Sequence, residues 1–283
     1  MQNVESAENS LKLCTRRSKF NFVAAKLTIL GSGSAGNSAY LETDEARVLV
    51  DCGFSPRQIR QRLASIGRAP ENLTAILITH EHSDHINGLV GIAEKLRIPV
   101  YCNRATMEEI TRQFGAQIDF RLFSTGGSFD VGDVAVETFS VPHDAQDPVG
   151  FLLRTNAGVF GFVTDLGHMT KLVIERTRCA NVLVLESNHD VKMLQECVHR
   201  PWSLKQRILG RHGHLSNEAC ADGAEQIMSD NLRHLYLAHL SRDCNKPEIA
   251  FSVVQQRMQR INATHVRVEL TQQAAPCPTL CVG

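Results

Sequence analysis

Short apolar runs rich in β-branched residues recur along the chain at 27–30, 47–50, 75–78, 134–141, 150–154, 159–163, 182–185, 235–237 and 265–270. Bounded by glycine and polar clusters, each predicts a strand. Between many of them the apolar positions shift to a three-to-four-residue period, predicting helices at 56–66, 88–96, 104–114, 170–178, 216–228 and 246–258. Residues 120–154 read as consecutive strands without a helix. Such a mixture is α/β with antiparallel hairpins, unlike a doubly wound parallel sheet. Residues 1–25 lack periodicity and read as a flexible N-terminal extension, 26–270 as one domain, and 271–283 as an irregular C-terminal tail.

Composition narrows the class. In 283 residues, 43% are apolar and 21% charged, close to the globular average, so disordered, collagen-like and coiled-coil readings lose support. Thirty Lys and Arg balance thirty Asp and Glu, which argues against an overall basic coat for gripping nucleic acid and leaves room for a local patch. Nine cysteines without a C-x-x-C pair suit reduced thiols and a cytoplasmic protein, and no apolar run is long enough for a membrane span.

Chemistry concentrates in Thr79-His80-Glu81-His82-Ser83-Asp84-His85, placed between a predicted strand and a helical stretch. Imidazole nitrogen and carboxylate oxygen are ligands that zinc, manganese and iron all accept. A strand-to-helix turn can aim alternate side chains at a common point, and this spacing can seat two ions.

This string resembles the metal-binding motif of the metallo-β-lactamase superfamily, and the other motifs of that family follow in order. Asp51, His143, Asp165 and His239 each stand where a predicted strand stops. The resemblance implies a single-domain, four-layer αββα sandwich holding two divalent ions, zinc or manganese in first place and iron also eligible. It implies His80, His82 and His143 as ligands of one ion, Asp84, His85 and His239 of the other, and Asp165 as the bridge, with Asp51 orienting the ligand imidazoles. Asp165 stands where the β-lactam-hydrolysing branch has cysteine, which disfavours antibiotic hydrolysis.

The strings Gly31-Ser32-Gly33-Ser34-Ala35-Gly36-Asn37-Ser38, Leu185-Glu186-Ser187-Asn188-His189-Asp190 and Gly210-Arg211-His212-Gly213-His214-Leu215-Ser216-Asn217 look like the YycJ/WalJ-type branch. That branch is linked to metal-dependent 5′ to 3′ exonuclease activity on DNA, so the resemblance implies a nuclease acting on single-stranded DNA ends. A small or cyclic phosphodiester is the alternative substrate. Asp84 and His214 are the expected catalytic residues, Asp84 orienting the nucleophile and His214 protonating the leaving oxygen; a loop histidine bonded only to backbone is the competing reading of His214. Ser216 can cap the next helix and, with Asn217, offer free N–H groups to phosphate, while Asn188 and His189 fall near the rim. Asp190 reads as a helix cap.

Residues 199–214 carry Arg200, Lys205, Arg207, Arg211 and the only tryptophan, Trp202, without one acidic residue. Two readings stand: a patch guiding a nucleic-acid strand, or a solvated helix face with Trp202 anchored in the core. Arg57, Arg60, Arg62 and Arg68 read as solvated surface.

Overall fold

A computed structural model of the protein describes residues 24–283. Up to residue 23 the expected N-terminal extension lies outside the described residues; Ala25 already belongs to the first strand. The first half of the chain supplies β1 (Ala25–Gly31), β2 (Ser38–Glu42), β3 (Arg47–Val50), β4 (Ala75–Leu77), β5 (Val100–Cys102) and β6 (Phe120–Leu122). The second supplies β7 (Ser128–Val131), β8 (Val134–Ser140), β9 (Val149–Thr155), β10 (Gly158–Val163), β11 (Val182–Glu186), β12 (His234–Ala238) and β13 (Arg267–Leu270), before β14 (Leu280–Val282) returns to the first half. They form two mixed seven-stranded sheets, ordered β14-β1-β2-β3-β4-β5-β6 and β13-β12-β11-β10-β9-β8-β7.

The helices are α1 (Pro56–Ser65), α2 (Ser83–Ile86), α3 (Arg104–Phe114), α4 (Lys171–Thr177), α5 (Val191–Glu196), α6 (Trp202–Leu209), α7 (Asn217–Ile227) and α8 (Pro247–Arg260). The first three pack on the outer side of the first sheet through Ile59, Leu63, Ile86 and Ile110; α4, α7 and α8 pack on the second through Val173, Ala221, Ala224 and Val254. The four αββα layers anticipated from the motifs are therefore present.

Alternation within the strands explains why so many read as unbroken apolar runs. On β11, Val182 and Val184 face the other sheet while Leu183 and Leu185 face the helices; on β12, Tyr236 and Ala238 alternate with Leu235 and Leu237 in the same way. A strand buried on both faces has no polar side to show. Strands β3 to β6 run parallel, as do β10 to β13, so their carboxyl ends collect along one edge of the sandwich. Open α/β sheets place ligands outside such ends.

Several expectations are corrected. The segment 271–283 is no irregular tail: Leu280, Cys281 and Val282 pair antiparallel with Leu27, Lys26 and Ala25, and Cys277 is buried in the inter-sheet core. Arg62 is not solvated surface. Its guanidinium is buried, donates to the carbonyls of Leu30 at 2.5 Å and Gln273 at 2.8 Å, and lies 3.9 Å from the centre of the Phe54 ring. It thus ties the returning chain to the end of β1. The stretch expected as a helix at 88–96 is helical from 89 to 96 as read, though Val90–Glu94 within it form wide turns, and Asn87 and Gly88 separate it from α2.

The loop after β1 braces the turn that carries the metal-ligand string. The Asn37 amide donates to the Asp84 carbonyl at 2.8 Å, the Cys52 amide to the His85 carbonyl at 2.8 Å, and the Gly53 amide to the Asn37 carbonyl at 2.9 Å. Gly53 permits this approach, since a methyl group there would fall 1.6 Å from the Asp84 carbonyl oxygen, a backbone atom with nowhere to go. Gly53→Ala is expected to cost about 3 kcal/mol of stability. Urea unfolding measures it, and a midpoint equal to the parent's would contradict the bracing role.

Candidate metal centre

Six strand ends build the site. Asp51 follows β3, the His80 string follows β4, His143 follows β8, Asp165 follows β10, Glu186 ends β11 and His239 follows β12. Asp51, Asp165 and His239 all adopt the left-handed backbone conformation, with φ of 61°, 58° and 55°. Such a conformation costs a non-glycine residue free energy, and three cases converging on one spot mark where the fold accepts strain to turn side chains inward.

The residues anticipated as ligands come together in two neighbouring groups. His80, His82 and His143 form one: His82 Nδ1 lies 3.1 Å from His80 Nε2 and 3.3 Å from His143 Nε2. Asp84, His85 and His239 form the other, with Asp84 Oδ2 3.3 Å from His239 Nε2 and 3.6 Å from His85 Nε2. Asp165 lies between them; its Oδ2 is 3.2 Å from His85 Nε2 and its Oδ1 4.0 Å from His143 Nε2. That Oδ2 is buried and lacks a hydrogen-bond partner among the described residues.

Hydrogen bonds behind the rings decide which nitrogen faces inward. His85 donates from Nδ1 to Asp51 at 2.8 Å, His239 from Nδ1 to Glu186 at 2.7 Å, and His143 from Nδ1 to the Gly213 carbonyl at 3.1 Å. In a neutral ring each of these leaves Nε2 as a lone pair. Asp51 is itself held by the amide and hydroxyl of Thr79 at 2.9 and 3.0 Å, as its anticipated orienting role requires.

The donor set fits a divalent cation. Two imidazole nitrogens at 2.0–2.1 Å from a tetrahedral ion lie about 3.3 Å apart, the spacing found around His82. Lone pairs facing each other at that distance with an orphaned carboxylate oxygen nearby leave a gap that a cation fills. Charge agrees. Burial, with His85 adding to it, keeps His80 well below the usual histidine range, and burial lowers His143 too, so both stay neutral and able to ligate. Burial alone would raise Asp165, yet the neighbouring His239 and His85 hold it well below the ordinary carboxylate range.

Glu186 is the residue that the sequence reading passed over. Fully buried at the end of β11, it accepts from His239 Nδ1, from His214 Nδ1 at 2.8 Å, and from the Leu166 and Leu215 amides at 3.0 Å each. Burial opposes its ionisation, but His214 and His239 hold its pKa at about 2. An acid closing a wholly apolar strand, in the register where other strands end in Asp or His, was the available signal.

His214 therefore bonds to a buried carboxylate, not to backbone, and lines the cavity of about 160 Å³ that also exposes His82, Asp84, His143, Asp165 and His239. Asn188 lines it as well, its amide donating to the His239 carbonyl at 2.8 Å. The other anticipated phosphate contacts do not face it. Ser216 caps α7, but its hydroxyl accepts from the Ala219 amide and the Asn217 amide donates to the His189 carbonyl at 2.9 Å, so the helix start is largely spent. Asn217 is buried, bonded to Ser187 and Asn245. His189 is buried beyond the cavity wall, lowered to about 4 by that burial, and neither ring nitrogen has a partner among the described residues. Asp190 caps α5 as expected, accepting from the Met193 amide at 2.7 Å.

The basic segment divides. Arg200 and Arg207 line the cavity, Lys205 is buried with its ammonium on the Gln195 carbonyl at 2.7 Å, and Trp202 is 62% exposed, so it anchors nothing in the core.

Comparison with known proteins agrees with this geometry. Residues 46–240 match the beta-lactamase superfamily domain. The chain is 39% identical to exodeoxyribonuclease YycJ of Bacillus anthracis, over 81% of this chain and 87% of that protein. It is 38% identical to exodeoxyribonuclease WalJ of Streptococcus pneumoniae, over 81% and 86%. In fold it is similar to a diphosphatase from the PhnP family, with a TM-score of 0.64 at 18% identity, over 92% of this chain and 98% of that one. With the motifs in order along two sheets and their side chains meeting at one edge, the chain belongs to the beta-lactamase superfamily of metal-dependent hydrolases.

Proposed function

We propose that the protein is a two-metal phosphodiester hydrolase that shortens DNA from a 5′ end, with single strands as substrate. The observation that carries the reading is the pairing of the two anticipated ligand groups with His214, a histidine in the same cavity that belongs to neither of them and is hydrogen-bonded to Glu186, with which it also clusters beside Asp165 and His239. Kinship with proteins named exodeoxyribonucleases supports the substrate class. Free thiols at all eight described cysteines suit the cytoplasm, and no described helix is long and apolar enough to cross a membrane.

His80, His82 and His143 would hold one ion, Asp84, His85 and His239 the other, and Asp165 both. Bound there, the ions supply Lewis acidity and a nucleophile at neutral pH. Asp84, reaching the cavity from the first turn of α2, orients the attacking group. His214 is locked by Glu186 with Nε2 on the far side of its ring, where it delivers a proton to the departing sugar oxygen. Burial would lower its pKa, but Glu186 and then Asp165 raise it, keeping a proton available at neutral pH.

Digestion of end-labelled single- and double-stranded DNA and RNA, with added metal and beside an activated aryl phosphodiester, tests the proposal. Progressive loss of nucleotides from the 5′ end of single-stranded DNA is expected. Cleavage of the aryl ester or cyclic nucleotides alone would make this a small-molecule phosphodiesterase.

Three substitutions test the assignment of parts. His82→Ala is expected to lose bound metal and nearly all hydrolysis, because it opens the coordination shell; elemental analysis of the purified variant decides. Glu186→Gln places an amide where two imidazoles donate, and metal affinity or turnover should fall about 10- to 100-fold. His214→Ala should keep its metal yet lose about 10²- to 10⁴-fold in DNA turnover, while an activated aryl ester, whose leaving group needs no proton, is spared. Equal slowing of both substrates would make His214 a phosphate-positioning residue.

A further inference from the structure

The outer side of α6 has no role in the site as described, and its composition is unusual. Trp202 is 62% exposed and Leu209, two helical turns on and hence on the same face, is 40% exposed. A tryptophan carries one of the largest apolar surfaces of any side chain, and folding normally buries it. Here it stands in solvent on a helix whose other residues Leu204, Arg207 and Ile208 line the metal cavity. With eight residues, α6 is about 12 Å long, so the exposed ring and the cavity wall are two sides of one short rod.

Cations flank this helix. Arg200, two residues before Trp202, lines the cavity; its Nε is buried without a hydrogen-bond partner among the described residues, and its Nη2 reaches Asp243 at 3.2 Å and Ser241 at 3.4 Å. Arg207 is 60% exposed and paired with Asp144 at the rim. Arg211 is exposed beside His168. No acidic residue occurs between His199 and His214.

We propose that this segment is the platform on which a single strand is received, Trp202 stacking a base while Arg200, Arg207 and Arg211 take the phosphates that lead into the cavity. The inference rests on the nuclease reading and adds to it the residues that select strand state. A base inside a duplex has both faces covered by its neighbours, so an exposed tryptophan one helix-width from the cavity favours single strands without reading sequence.

Trp202 is the only tryptophan, so intrinsic tryptophan emission reports this position alone. The metal-loaded full chain is titrated with a dye-labelled, phosphorothioate-linked oligothymidylate, following tryptophan emission and dye anisotropy together. Emission is expected to fall in step with binding, and a duplex of the same length to leave it unchanged. Trp202→Phe should bind within about threefold of the parent and Trp202→Ala about tenfold more weakly, as loss of one stacked base implies.

If the single strand binds with constant emission and Trp202→Ala binds like the parent, the platform is refuted and the nuclease reading stands. If emission instead follows protein concentration without DNA, and sedimentation shows a dimer that Trp202→Ala dissociates while still binding the strand like the parent, the face joins two copies of the chain and the platform is again refuted. Failure of every strand to bind or be cut would remove the nuclease reading, and the platform with it.

Discussion

Everything in the site depends on a ring of hydrogen bonds one step removed from the chemistry. Asp51, Glu186 and the Gly213 carbonyl each take the Nδ1 proton of an imidazole, and that choice turns the Nε2 lone pair inward. Without these acceptors the same histidines could rotate or hold a proton on the inner nitrogen, and the cluster would be a set of mutually repelling donors. The acceptors must be buried and correctly aimed, and the fold supplies both by ending β3 in a left-handed turn at Asp51 and by closing the apolar strand β11 on Glu186.

The two sheets are coupled through this edge. His80, His82, Asp84 and His85 come from the first sheet and its connections, whereas His143, Asp165, Glu186, His214 and His239 come from the second. Neither half can assemble either of the two anticipated ligand groups alone. What brings them together is the inter-sheet core, in which Val48, Leu77, Phe151, Phe160, Val184 and Tyr236 are buried. A bound ion would in turn stabilise the packing, since anything that binds only the folded state adds to its stability. Gly53 and Arg62 belong to the same design: the one lets the Asp84 turn approach the loop after β1, the other fastens the end of that strand to the returning C-terminal segment.

Much of this was legible in the sequence, and the parts that were not share a physical reason. The doubly buried strands announce themselves as apolar runs, and α3 was readable to its ends because Asn103 caps it and Gly115 takes the left-handed turn at φ 60°. The short strands β2, β5 and β14 offer too few residues for alternation to show. Residue type misled where burial reverses the usual habit. Arg62 and Lys205 looked like solvent-facing cations, yet backbone carbonyls satisfy them inside the protein. Ser216 was correctly read as a cap, but capping consumes the N–H groups that phosphate would have needed. Glu186 was hidden because one acid after an apolar strand looks like the start of a loop; only the fold reveals two imidazoles converging on it.

The central claim is that these preset lone pairs form two ion sites in the folded chain. Calorimetric titration of the chelator-stripped protein with manganese or zinc, with the unfolding temperature followed in parallel, tests it most directly. The account predicts two equivalents bound per chain and an unfolding temperature that rises with free metal concentration. Saturation at one equivalent, or binding that leaves the unfolding temperature unmoved, would contradict it.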